Sequence, residues 1–126
     1  MQCSTTLMTE IVIPNDTNSL GKLRGGRLID WMDIAGEIAA QRHCAKEAVT
    51  ASINQLNFLE SINIGDIITI KSRVSKVNTT SMEVIIEVWS ENISRKKKKI
   101  TNKGVFIYVA IDSNGQPCKV PKINSN

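Results

Sequence analysis

From Leu7 to Ile13 apolar and β-branched residues predominate, and Pro14, Asn15 and Asp16 stop them, which predicts a short strand ending in a turn. Asp16 to Gly26 reads DTNSLGKLRGG, a polar, glycine-punctuated loop. Helical spacing then holds from about Gly26 to about His43. At about 100° per residue, Leu28, Trp31, Met32, Ala35 and Ala39 share one face, while Asp30, Glu37 and Gln41 share the far one. Asp33 falls between these faces, beside Ile29, Gly36 and Ala40, so a partly buried carboxylate is expected there. Gly36 and Ala40 also leave room for another backbone or an extended ligand to approach.

After the helix the period changes. Ala48 to Phe58, Asp66 to Val77, Met82 to Glu91 and Ile100 to Asp112 are rich in Val, Ile and Thr, and the short breaks between them suit antiparallel hairpins. The last of these alternates Val105, Ile107, Val109 and Ile111 with Phe106, Tyr108, Ala110 and Asp112. Asn114-Gly115 marks a turn, and the tail PCKVPKINSN is expected to be flexible, with little to pack against. The order strand, long helix, four strands predicts an α+β domain spanning residues 1–126, its core from about 7 to 121, with one helix laid across a five-stranded antiparallel sheet. Ile85, Trp89, Phe106 and Tyr108 put apolar side chains on more than one face, so the sheet is expected to pack against or continue into another subunit.

Charge alters this picture little. The formal net charge is +4, but Arg95 to Lys99 are contiguous, and without those five 11 basic residues face 12 acidic ones. Aromatic residues make up only 4% of the chain, too few for a base-stacking surface, so nucleic acid is not an expected partner. Cys3, Cys44 and Cys118 are widely spaced and form no C-x-x-C, which supports neither a disulfide framework nor a zinc site and suits a reducing cytoplasm. No run of about 18 apolar residues predicts a membrane span, and MQCSTTLMTE lacks the pattern of a secretion signal. With one histidine, the chemical inventory is carboxylates, hydroxyls, thiols and backbone amides.

In this order the segments PNDTNSLGKLRGG, WMDIAGEIAAQRH, VTASINQLNF, GDIITIKSRV, TSMEVIIEVWSE and FIYVAIDSNGQP resemble the hotdog-fold acyl-CoA thioesterases of the cytosolic acyl-CoA hydrolase type. The resemblance implies a central helix wrapped by a curled sheet, with the sheets of two chains joined across a homodimer and three dimers commonly forming a hexamer. It implies an acyl-CoA substrate, free acid and CoA as products, and no metal or cofactor. It also implies that Asp33 and Asn18, from opposite subunits, form the catalytic pair.

Thioester hydrolysis needs an activated water or a nucleophile, and donors where charge develops on the carbonyl oxygen. Asp33 could serve as general base or nucleophile, and Asn18 could orient water or hydrogen-bond the carbonyl. Gly25 and Gly26 precede the helix, where unpaired amides and the positive end of the dipole favour an oxyanion. The Gly26 amide is the expected oxyanion donor, while Gly25 shapes the turn and lies against substrate. Ser81, Arg42 and His43 are candidate substrate contacts, the last two for CoA phosphates. Where the family often has Gly-Arg before T-S-M-E, this chain has Asn78 and Thr79, which puts one expected nucleotide contact in doubt. Cys44 has no partner base and reads as a small buried residue. An acyl-CoA-binding sensor without turnover is the alternative on the same fold, and a lysine-run nucleic-acid binder a third.

Overall fold

Two periodicities decide where each side chain goes in the computed structural model, which describes residues 5–123. The strands are β1 (Thr6–Ile11), β2 (Glu47–Phe58), β3 (Ile67–Val77), β4 (Ser81–Asn92) and β5 (Lys97–Ile111), and the helix is α1 (Gly25–Cys44). They form one antiparallel sheet in the order β1-β3-β4-β5-β2, and α1 packs against all five strands. This is the predicted helix-on-sheet arrangement, with boundaries shifted by one to three residues.

Alternation in β3, β4 and β5 sends Ile68, Ile70, Met82, Val84, Ile86, Val88, Phe106 and Tyr108 under the helix, all fully buried. The helical stripe answers them: Leu28, Trp31, Met32, Ala35 and Ala39 are buried as their spacing predicts. Each fully buried aliphatic side chain contributes about 1.5–3 kcal/mol, so this two-layer core outweighs any surface pair. The other face of the sheet holds half-buried residues, Ile85, Trp89, Ile107 and Val109 among them. At the edge, β2 is exposed along almost its whole length, with Val49, Ile53 and Phe58 open.

Two expectations are corrected. The tail is not loose as far as Ile123: the Cys118 amide donates to the Ala110 carbonyl (2.9 Å), the Val120 amide donates to the Thr79 carbonyl (2.9 Å), and Val120 is buried in the core. One large apolar residue per few positions suffices when the backbone is held at both sides of it. The basic run is also not all loop, since Lys97, Lys98 and Lys99 pair with Asn92, Glu91 and Ser90 to begin β5. Cys3 and the tail positions 124–126 lie outside the described residues. Cys44 is buried as expected.

Candidate active site

Two hydroxyls converge on one carboxylate oxygen of the helix. Asp33 projects from the middle of α1, half-buried, where Thr50 of β2 and Tyr108 of β5 face it. The Thr50 hydroxyl donates to Asp33 Oδ1 at 2.6 Å. The Tyr108 hydroxyl lies 2.9 Å from the same Oδ1 and 2.8 Å from the Asp33 carbonyl oxygen, so its single proton is shared between acceptors on one residue. Thr50 and Tyr108 are register partners in the β2–β5 ladder, which fixes both hydroxyls in one row beneath the helix. Oδ2 has no hydrogen bond among the described residues and remains the free oxygen of the pair.

The phenol of Tyr108 is held protonated. Burial raises its pKa, the charge of Asp33 and the hydrogen bond to it raise it further, the charge of Glu37 adds to this, and a hydrogen bond with Thr50 works the other way. Tyr108 therefore acts as a permanent donor. Gly36 makes its position possible: a Cβ there would collide with the Tyr108 hydroxyl and stand 2.8 Å from Ile86 Cδ1. The room foreseen beside Asp33 for a backbone or ligand is occupied by this ring.

Asn18 organises the loop before the helix. Its Oδ1 accepts from the amides of Leu20 (2.9 Å) and Lys22 (3.2 Å), leaving Nδ2 as the group with no partner among the described residues. The loop is tied to α1 through buried Asp16, whose Oδ1 accepts from Arg27 Nε at 3.0 Å and whose carbonyl accepts the Arg24 amide at 2.9 Å. Helix capping is absent: Arg24 at the N-cap makes no side-chain cap bond, and the first helical amide to bond inward is that of Leu28, to Arg24. The amides of Gly25, Gly26 and Arg27 are thus unpaired among the described residues, and beyond the adjoining residues and the helix's own backbone nothing described comes within 4 Å of where a Cβ of Gly25 or Gly26 would stand. That end carries the positive pole of the helix.

The remaining candidates sit elsewhere. Ser81 opens β4 on the face away from the helix, where its Oγ accepts from Asn78 Nδ2 (3.3 Å). Arg42 and His43 occupy the last turn of α1, more than 20 Å from its first turn at about 1.5 Å per residue. Arg42 reaches the Thr6 hydroxyl at 3.2 Å. His43 is buried, and its Nε2 donates to the Pro121 carbonyl at 2.7 Å, so the expected phosphate contact is not one this ring offers. Thr50 and Tyr108 were not among the sequence candidates. The available signal was a hydroxyl on the inward phase of each strand, two residues from buried Ala48 and from buried Phe106 and Ala110. No cluster of three or more His, Cys, Asp or Glu side chains able to hold a metal occurs among the described residues. No helix among them is long and apolar enough to cross a membrane.

With this geometry established, the chain compares closely with known proteins. The sequence profile of the thioesterase superfamily matches residues 20–96. An uncharacterized acyl-CoA thioester hydrolase of Bacillus subtilis, YkhA, is 38% identical over 120 residues, covering 95% of this chain and 70% of that one. An acyl-CoA hydrolase from Staphylococcus aureus, solved with butyryl coenzyme A, coenzyme A and coenzyme A disulfide, superposes with a TM-score of 0.90 at 31% identity, covering 95% and 73% of the two chains. Structures of that enzyme with an asparagine, an aspartate or a threonine changed to alanine superpose similarly. A hexameric thioesterase from Yersinia pestis gives a TM-score of 0.86 at 32% identity, covering 93% of this chain and 95% of that one.

Proposed function

This chain belongs to the thioesterase superfamily, and from that premise we propose that it hydrolyses acyl-CoA thioesters to a free carboxylic acid and CoA at a site shared between two chains. The carrying observation is the Asp33 carboxylate, with Oδ1 anchored by Thr50 and Tyr108 and Oδ2 without a partner among the described residues. In the S. aureus hydrolase the three positions changed to alanine are spaced along the chain as Asn18, Asp33 and Thr50 are here.

Asp33 Oδ2 takes a proton from a water as its oxygen attacks the thioester carbon. Negative charge gathers on the carbonyl oxygen, which the Gly26 amide and the positive end of α1 stabilise. As the C–S bond breaks, the proton held by Asp33 passes to the departing CoA sulfur, so water, thioester, acid and thiol balance without a cofactor. Asn18, its Oδ1 spent on the loop, presents Nδ2 as a donor, which suits holding the water or the carbonyl oxygen.

Distance supports a site shared between chains. Seven positions separate Gly26 from Asp33, about 10 Å of helix axis, whereas a carbonyl carbon and its attacking oxygen must meet within about 3–3.5 Å. Pairing the carboxylate of one protomer with Asn18 and Gly26 of its partner would bring both to one thioester. The open strand β2, with Val49, Ile53 and Phe58 exposed, is the edge along which two sheets would join, and we take three such dimers as the hexamer. Unpaired Cys44 and Cys118 suit a reducing cytoplasm.

The test is thiol release from acyl-CoAs. Asp33→Ala should lower kcat by about 10²–10⁴-fold, with folding preserved because Tyr108 keeps the residue-33 carbonyl as acceptor. Asn18→Ala should also be impaired. Refolding the two inactive chains together should restore about a quarter of wild-type turnover, because random pairing rebuilds one intact site in each mixed dimer. Mixed dimers that form yet recover nothing would refute the shared site. Tight acyl-CoA binding with no CoA release by the wild type would favour a sensor instead.

A further inference from the structure

Next to the uncapped end of α1 lies a pocket of about 390 Å³, bounded by Leu23, Gly25 and Leu28 on one side and by Phe58 and Ile62 on the other. Leu59 adds to these apolar walls, while Lys22, Glu60, Ser61 and Asn102 supply polar groups. Asn102 contributes to the lining at 1% exposure, and neither its Nδ2 nor its Oδ1 has a hydrogen-bond partner among the described residues.

An irregularity in β5 puts the amide there. Val88 pairs with Asn102 and Trp89 with Ile100, so Thr101 is an extra residue in β5, and both Thr101 and Asn102 turn inward. Thr101 is fully employed: its hydroxyl donates to the Val88 carbonyl (3.4 Å) and its own carbonyl accepts the Leu59 amide (2.8 Å). Asn102 is not. A buried amide with neither function paired destabilises the fold, whereas an apolar side chain of the same volume would not. Such a group suits a surface that something else is meant to touch.

Resting on the acyl-CoA reading above, the carbonyl oxygen of a substrate sits on the Gly26 amide, and the adjoining residue, Gly25, lines this pocket. We infer that the pocket receives the acyl chain and that Asn102 selects short chains bearing a hydroxyl or oxo group. Nδ2 donates to either oxygen, and Oδ1 accepts from a hydroxyl. A plain saturated chain leaves both functions unpaired, and that deficit is the source of the discrimination.

The experiment compares butyryl-CoA with 3-hydroxybutyryl- and 3-oxobutyryl-CoA, and hexanoyl-CoA with 3-hydroxyhexanoyl-CoA, on the assembled wild type and on Asn102→Leu. The wild type should favour the oxygenated member of each set by about tenfold or more in kcat/KM. Asn102→Leu should lose that preference, hydrolyse plain chains at least as fast, and melt no lower than the wild type. Asn102→Thr, whose hydroxyl supplies one donor and acceptor in place of the amide, should recover part of the preference. Equal treatment of plain and oxygenated chains by the wild type, or a preference that survives Asn102→Leu, overturns this inference and leaves the hydrolase reading standing. Release from none of these thioesters overturns both.

Discussion

At its carboxyl end α1 finishes closed: the Ala45 amide caps the Gln41 carbonyl at 2.8 Å, His43 and Cys44 are buried, and the chain after β5 returns to cover them through Val120 and Pro121. At its amino end the same helix has two adjacent glycines, no side-chain cap and three amides unpaired among the described residues, beside a pocket. One end is covered by the rest of the chain, although buried His43 Nδ1 has no partner among the described residues, and the other keeps its amides for something that arrives. A helix needs only one well-anchored end and a buried stripe to stay folded, which frees the opposite terminus to carry partial charge toward a reaction.

Closing the open end is the strongest way to break this contrast. Arg24→Asp places a cap acceptor where it can take the Gly26 or Arg27 amide; stability should rise by about 1 kcal/mol, while kcat should fall about 10²-fold because the oxyanion loses its donor and meets a negative charge. Thermal melts and initial rates on one sample read both effects, and a capped variant with undiminished turnover would show that the Gly26 amide is not used. Loosening the closed end should do the reverse. Val120→Ala should cost about 2 kcal/mol in denaturant unfolding and leave kcat/KM essentially unchanged, and a parallel loss of activity would show that the two ends are coupled. The smallest change sharpens the closed end further. Ala45 sits at φ 58°, in the left-handed region, so Ala45→Gly should stabilise by about 0.5–1 kcal/mol in the same assay, with unaltered rates.

How far the sequence disclosed this contrast differs between the two ends. The open end was plain in the glycine pair and the loop before it, because missing side chains and missing caps are visible as letters. Burial of the Leu28, Trp31, Met32, Ala35 and Ala39 stripe was equally legible, since a helix turns at a fixed angle. The closed end was not, because Val120 is an isolated apolar residue whose burial depends on backbone hydrogen bonds to Thr79 and Ala110, partners that no periodicity reveals. Asp33 could be placed on a small-residue flank, yet its supports could not. Thr50 and Tyr108 come together through a strand register that bulges in β2 alter, and a register is a property of two segments at once. Asn102 was hidden for the same reason: strict alternation would not turn two successive residues inward.

Gly36 and Tyr108 give the protein a constrained history. Adding one carbon at position 36 is blocked by the tyrosine, and trimming that tyrosine to phenylalanine would not help, because the ring carbon Cζ itself would stand 2.8 Å from the new atom. A larger residue at 36 becomes admissible only after the ring has gone, and with the ring goes one of the two hydroxyls that hold Asp33. The two positions therefore form a ratchet for sequence drift: lineages that keep the carboxylate anchored in this way can explore neither site singly, however freely the surrounding surface varies.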